Sequence, residues 1–139
     1  MQIETADAPE AMTLDREYPG TLRQARQVRA DLTQIAERCP VAGDLVMLAA
    51  ELATNAILHS RSGRPGQSFT VRAIVRPGDY AQVEVIDQGG VWTCGGHDDE
   101  HGRGLAIVAA IAGDGNWGIG GDEASRVTWF RLAWHQDRA

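Results

Sequence analysis

The chain has 139 residues, 13 Lys+Arg against 19 Asp+Glu, a formal net charge of −6, 43% hydrophobic residues and two cysteines. That length predicts one domain with a core of its own, and Cys39 and Cys94 give no disulfide framework, which points to a reducing, cytoplasmic setting. The acidic balance argues against direct nucleic-acid binding, and no apolar run approaches the ~20 residues that a membrane span needs.

Residues 1–10 carry Glu4, Asp7 and Glu10 and no basic n-region, so they read as a disordered lead and not as a signal peptide. Residues 11–135 read as a single domain. Met12 and Leu14 alternate with Thr13 and Asp15, which predicts a first strand over 11–18 that Pro19-Gly20 ends. Thr21 is the expected N-cap of a first helix. Leu22, Ala25, Val28, Leu32, Ile35 and Ala36 follow at helical spacing, and Pro40 stops the run. A second helix is predicted over 43–60, with Leu45, Leu48, Leu52 and Ala56 on its apolar side. Ser62-Gly63 and Pro65-Gly66 then give turn chemistry. Phe69, Val71, Ala73 and Val75 form one strand-like run, and Val83, Val85 and Ile86 form another. Pro77-Gly78-Asp79 joins them as a hairpin. A polar, Gly-rich loop fills 88–104, a third helix is predicted over 103–112, and strands over 117–119 and 127–134 close the chain. The order is β-α-α-β-β-loop-α-β-β. It predicts an α+β fold: a two-layer sandwich with a mixed, mostly antiparallel sheet and three helices on one face.

Three segments carry candidate chemistry. Glu51, Asn55 and His59 are spaced i, i+4, i+8, so one helix face presents all three. Such a face is often no more than solvated polar surface. Its functional reading is an amide oxygen for a hard cation with a carboxylate base nearby. Asp87 ends a strand and Gly89 follows two positions on. This is either a plain Asx turn or a carboxylate able to accept from an exocyclic amine, with a glycine that lets a planar ligand approach. Gly102-Arg103-Gly104-Leu105 stands at the expected start of the third helix, where backbone N–H groups and the helix dipole favour anions.

Together the segments resemble the N, G1 and G2 boxes of the GHKL ATPase superfamily, the Bergerat ATP-binding fold. Within it the chain is most similar to the anti-sigma-factor serine/threonine kinases and their histidine kinase-like ATPase relatives. The carrying residues are Glu51-Leu52-Ala53-Thr54-Asn55-Ala56 with His59-Ser60, Asp87-x-Gly89, and His101-Gly102-Arg103-Gly104-Leu105 with Ile107-Val108. Tyr18-Pro19-Gly20 and Trp129-Phe130-Arg131-Leu132 are similar as well. The resemblance implies ATP and Mg²⁺ as cofactors. It makes Asn55 the Mg²⁺ ligand and Glu51 the general base toward a substrate serine or threonine. Asp87 would read the adenine amine, Gly89 would pass close to the base, and His59 would flank it. Gly102, Arg103, Gly104 and Leu105 would form the phosphate segment, with Arg103 on the γ-phosphate, and 90–101 would be a lid. Thr128 is carried as the threonine supporting the adenine site, although alignment on Trp129 leaves it one residue out of register. The implied partners are an anti-anti-sigma (STAS) protein, a sigma factor and a second copy of the chain. A nucleotide-gated binding switch without phosphoryl transfer is the alternative. It needs Asn55 but no base, so Glu51 favours the kinase.

Other residues have plainer readings. Cys94, His97 and His101 have spacing that would suit a zinc, against a solvated lid as the default. Arg23, Arg26 and Arg29 form a basic stripe, by default a solvated face. Trp117, Trp129 and Trp134 read as strand packing or a dimer surface, and Trp92 as a lid aromatic. Six of the 16 glycines fall between Gly89 and Gly104, which locates the glycine excess at the nucleotide segment.

Overall fold

The structure is a computed structural model that describes residues 11–90 and 99–134. The predicted lead, 1–10, and most of the predicted lid, with Cys94 and His97, lie outside the described residues. The element order is β1 (Met12–Pro19), α1 (Arg23–Ile35), α2 (Ala42–His59), a 3-10 turn (Arg61–Gly63), β2 (Ser68–Arg76), β3 (Tyr80–Asp87), α3 (Asp99–Ala112), β4 (Trp117–Gly121) and β5 (Arg126–Ala133). The sheet runs β1-β2-β3-β5-β4. The sheet expected as mixed and mostly antiparallel has all four neighbouring pairs antiparallel.

A two-residue period decides which face is buried. Val71, Ala73 and Val75 in β2 stand opposite Val85, Val83 and Ala81 in β3, which stand opposite Thr128, Phe130 and Leu132 in β5. These positions are buried, and the intervening ones are half-buried or exposed. The helices cover this one face. α2 supplies Leu45, Leu48, Ala49, Leu52, Ala53 and Ala56 to the core, and α1 supplies Val28 and Leu32. Each large apolar side chain withdrawn from water contributes about 1.5–3 kcal/mol, which is what holds helices to sheet. Trp134 joins the core and Trp117 packs on its edge, while Trp129 lies on the open face against Gly118. Arg23, Arg26 and Arg29 are exposed.

Thr21 is not the N-cap of α1. Leu22 occupies that position without a side-chain cap, and the Thr21 carbonyl accepts from Gln24 N–H at 2.8 Å. A Thr21 N–H to Pro19 carbonyl bond of 2.9 Å tightens the preceding turn, so the helix begins from backbone bonds.

β1 is fastened to α1 by a polar cluster at the core's edge. The Tyr18 ring stacks on Phe69 with centroids 5.5 Å apart, and its hydroxyl donates to Asp31 Oδ2 at 2.7 Å. Gln27 Nε2 donates to Asp31 Oδ1 at 2.9 Å, and Arg16 Nη1 to Asp31 Oδ2 at 2.8 Å. Burial alone pushes the Asp31 carboxyl up. The hydrogen bonds from Tyr18 and Gln27 and the Arg16 charge outweigh it and hold Asp31 below the ordinary value.

A carboxylate lowered on folding stabilises the fold above its unfolded pKa, and that contribution disappears as pH falls through the folded value. Asp31→Asn is therefore expected to lower stability at pH 7 by about 1–2 kcal/mol in urea titrations. The gap from wild type should close as pH falls below the ordinary 3.8. An equal gap at pH 7 and pH 3 would contradict the assignment.

Candidate functional site

α2 carries two jobs on one cylinder. Its Leu45, Leu48 and Leu52 side is buried, and Glu51, Asn55 and His59 lie half-buried on a neighbouring face. Residue type explains the split: four-residue spacing keeps the polar set together, while the leucines hold the other side against the sheet.

α3 packs over that polar face at Gly104. A methyl placed on Gly104 would lie 3.2 Å from Glu51 Oε1 and 3.4 Å from Asn55 Nδ2. The carboxylate and the amide therefore converge on one point of α3, and a side chain there would crowd them. Asn55 Nδ2 is buried and has no hydrogen-bond partner among the described residues. A buried donor without a partner is uncommon and marks a place where a ligand can complete the bonding.

α3 begins at Asp99 and not at Arg103. Gly102, Arg103 and Gly104 therefore lie inside its first two turns instead of ahead of it. Leu105 packs half-buried against the core.

The second cluster forms at the end of β3. Asp87 is 4% exposed and accepts from Gly89 N–H at 2.7 Å. Burial pushes the Asp87 carboxyl up, and the Gly89 bond and the Arg126 charge oppose it. Gly89 has φ +72, and a Cβ there would sit 1.9 Å from the Glu123 carbonyl oxygen. The Gly89 carbonyl accepts from Arg61 N–H at 2.9 Å, and Gly90 N–H donates to the Glu123 carbonyl at 2.8 Å. Arg61 Nη1 donates to the same carbonyl at 3.1 Å. The Ser62 hydroxyl, fully buried, accepts from Gln88 N–H at 2.9 Å. The segment after α2 and the β4–β5 turn thus hold the Asp87–Gly90 backbone from two sides.

Thr128 is buried on the core face opposite Val85. The residue opposite Asp87 is Arg126, 8% exposed, whose guanidinium donates to the Gly90 carbonyl. Sequence reasoning missed Arg126 and Ser62 as site residues. Arg126 had a usable signal: it shares the two-residue parity of Thr128, Phe130 and Leu132. A cavity of about 340 Å³ lies at the other end of the sheet, bordered by Met12, Ile35, Cys39, Val75 and Trp134, and none of the candidate site residues lines it.

A family model described as the histidine kinase-like ATPase domain matches residues 18–128. The chain belongs to that family. The histidine kinase-like ATPase match takes in α2, the end of β3, α3 and most of the sheet, and so spans both clusters. Among solved structures, the chain resembles the RsbU and RsbW domains of Rv1364c from Mycobacterium tuberculosis, at 20% identity and a TM-score of 0.65. The match covers 87% of this chain and 32% of that one, so the chain spans about a third of its length. At that identity the likeness establishes shared fold. No curated protein matches the chain. The family gives the chain an ATP-binding fold, with Glu51, Asn55 and Asp87 on the elements just described.

Gly89→Ala is expected to cost roughly 2–4 kcal/mol, because it combines a left-handed backbone with a clash against a carbonyl. Thermal melting checks this. A loss under about 0.5 kcal/mol, the range of an ordinary surface substitution, would show that the turn is not tightly held.

Proposed function

We propose that the chain is an ATP-dependent protein serine/threonine kinase of the anti-sigma type. The observation that carries this reading is the convergence of Glu51 and Asn55 on Gly104. Its expected substrate is a hydroxyl of an anti-anti-sigma (STAS) protein, and its second partner is a sigma factor. The setting is cytoplasmic and the working unit a homodimer. No helix among the described residues is long and apolar enough to cross a membrane.

The donor set suits ATP with Mg²⁺. Asn55 offers an amide oxygen of the kind hard cations take, and its buried Nδ2 lacks a partner among the described residues. Bound there, Mg²⁺ supplies charge neutralisation on the polyphosphate. Asp87 offers a carboxylate oxygen to the adenine amine while Gly89 N–H fixes the carboxylate's orientation. Thr128 lies near that end of the sheet to support the base, and His59 flanks it from the end of α2. Gly102 and Gly104 allow the phosphates near the backbone of α3, and Arg103 adds positive charge. Glu51 accepts the proton from the attacking serine or threonine hydroxyl. Phosphoryl transfer needs mainly positioning and charge compensation, so a site this small suffices, even in a chain of net charge −6.

A partner switch without transfer has no use for a carboxylate one turn before Asn55. Two variants separate the readings, with labelled ATP, Mg²⁺ and a candidate STAS protein as reactants. Glu51→Ala should retain nucleotide binding and lose transfer by roughly 10²–10⁴-fold. Transfer that survives in this variant would remove Glu51 as the base. Asn55→Ala should lose the Mg²⁺-dependent part of ATP affinity, measured by calorimetry with and without the metal. Unchanged Mg²⁺ dependence would remove Asn55 from the metal role.

A further inference from the structure

Arg126 is a buried cation in the place where the sheet meets the predicted adenine site. It stands directly opposite Asp87 in the β3–β5 pair, on the same covered face. Its guanidinium donates to the Gly90 carbonyl, one residue past the glycine whose N–H binds Asp87 Oδ1. Gly90 N–H is held at the same time by the Glu123 carbonyl. Asp87, the Gly89–Gly90 backbone and Arg126 therefore form one arrangement, with the acid and the base on adjacent strands. A second cation at this turn, Arg61, is engaged by the carbonyls of Gln88 and Glu123.

We propose that Arg126 is a positioning residue that makes the Asp87 site select a 6-amino purine over a 6-oxo purine. The inference rests on the ATP-site reading above. A carboxylate in its charged form accepts a hydrogen bond from an exocyclic amine and repels a carbonyl oxygen. In its protonated form it donates to a carbonyl and loses that discrimination. Burial pushes Asp87 toward the protonated form, and the Arg126 charge and the Gly89 N–H counter it. Removing the charge while keeping the bond to Gly90 leaves the shape of the turn and weakens the discrimination.

Arg126→Gln provides that change, since an amide still donates to the Gly90 carbonyl. Arg126→Lys keeps the charge. The measurement is the dissociation constant of ATP and of ITP, its 6-oxo counterpart, for the full chain and both variants. Wild type should prefer ATP. Arg126→Gln should reduce the ITP/ATP ratio of dissociation constants by roughly tenfold. Arg126→Lys should restore most of the ratio. A purely structural role would instead weaken both nucleotides together. An unchanged ratio in Arg126→Gln overturns the inference while leaving the ATP site intact. Wild type that binds neither nucleotide overturns the ATP-site reading and this inference with it.

Discussion

Three separate stretches of chain meet on the backbone of Gln88, Gly89 and Gly90. The residues just after α2 reach it through Arg61 and Ser62. The β4–β5 turn reaches it through the Glu123 carbonyl, and β5 reaches it through Arg126. A side chain at Gly89 would displace the β4–β5 turn, because the position a Cβ would take is already filled by the Glu123 carbonyl. Each hydrogen bond contributes only about 0.5–1.5 kcal/mol net, but together they fix where Asp87 points. The proposed adenine-facing half of the site therefore depends on one backbone conformation.

α2 links that half to the proposed phosphate-facing half. Its buried leucines set its height above the sheet, so Glu51 and Asn55 come to lie under α3. Its end hands the chain to Arg61, which bonds Gly89. The same helix thus carries the expected base and the expected metal ligand, and anchors the turn that positions the expected adenine acceptor. Half-burial of Glu51 and Asn55 removes part of their hydration.

Much of this was legible in the sequence. Period-two runs such as Phe69 to Val75 and period-3.6 runs such as Leu45 to Ala56 fix element type wherever one face is buried, and the order of elements followed from them. The face shared by Glu51, Asn55 and His59 came from spacing alone. The start of α3 did not, because glycines at 102 and 104 read as helix breakers, yet the helix runs from Asp99 through both. Thr21 misled for a similar reason: it has the chemistry of a cap, but Pro19-Gly20 folds the chain so that backbone groups start the helix. Arg126 was passed over because it falls one residue before the strand expected over 127–134. Only the register with Asp87 turns it toward the covered face.

The central claim is that these two clusters make one ATP·Mg²⁺ site. The most direct measurement is the thermal unfolding of the wild-type chain with and without ATP·Mg²⁺. At a ligand concentration near 100 times Kd, the account predicts stabilisation of about 2.7 kcal/mol, with a smaller shift when Mg²⁺ is withheld. An unfolding curve that millimolar ATP·Mg²⁺ leaves unmoved would contradict it.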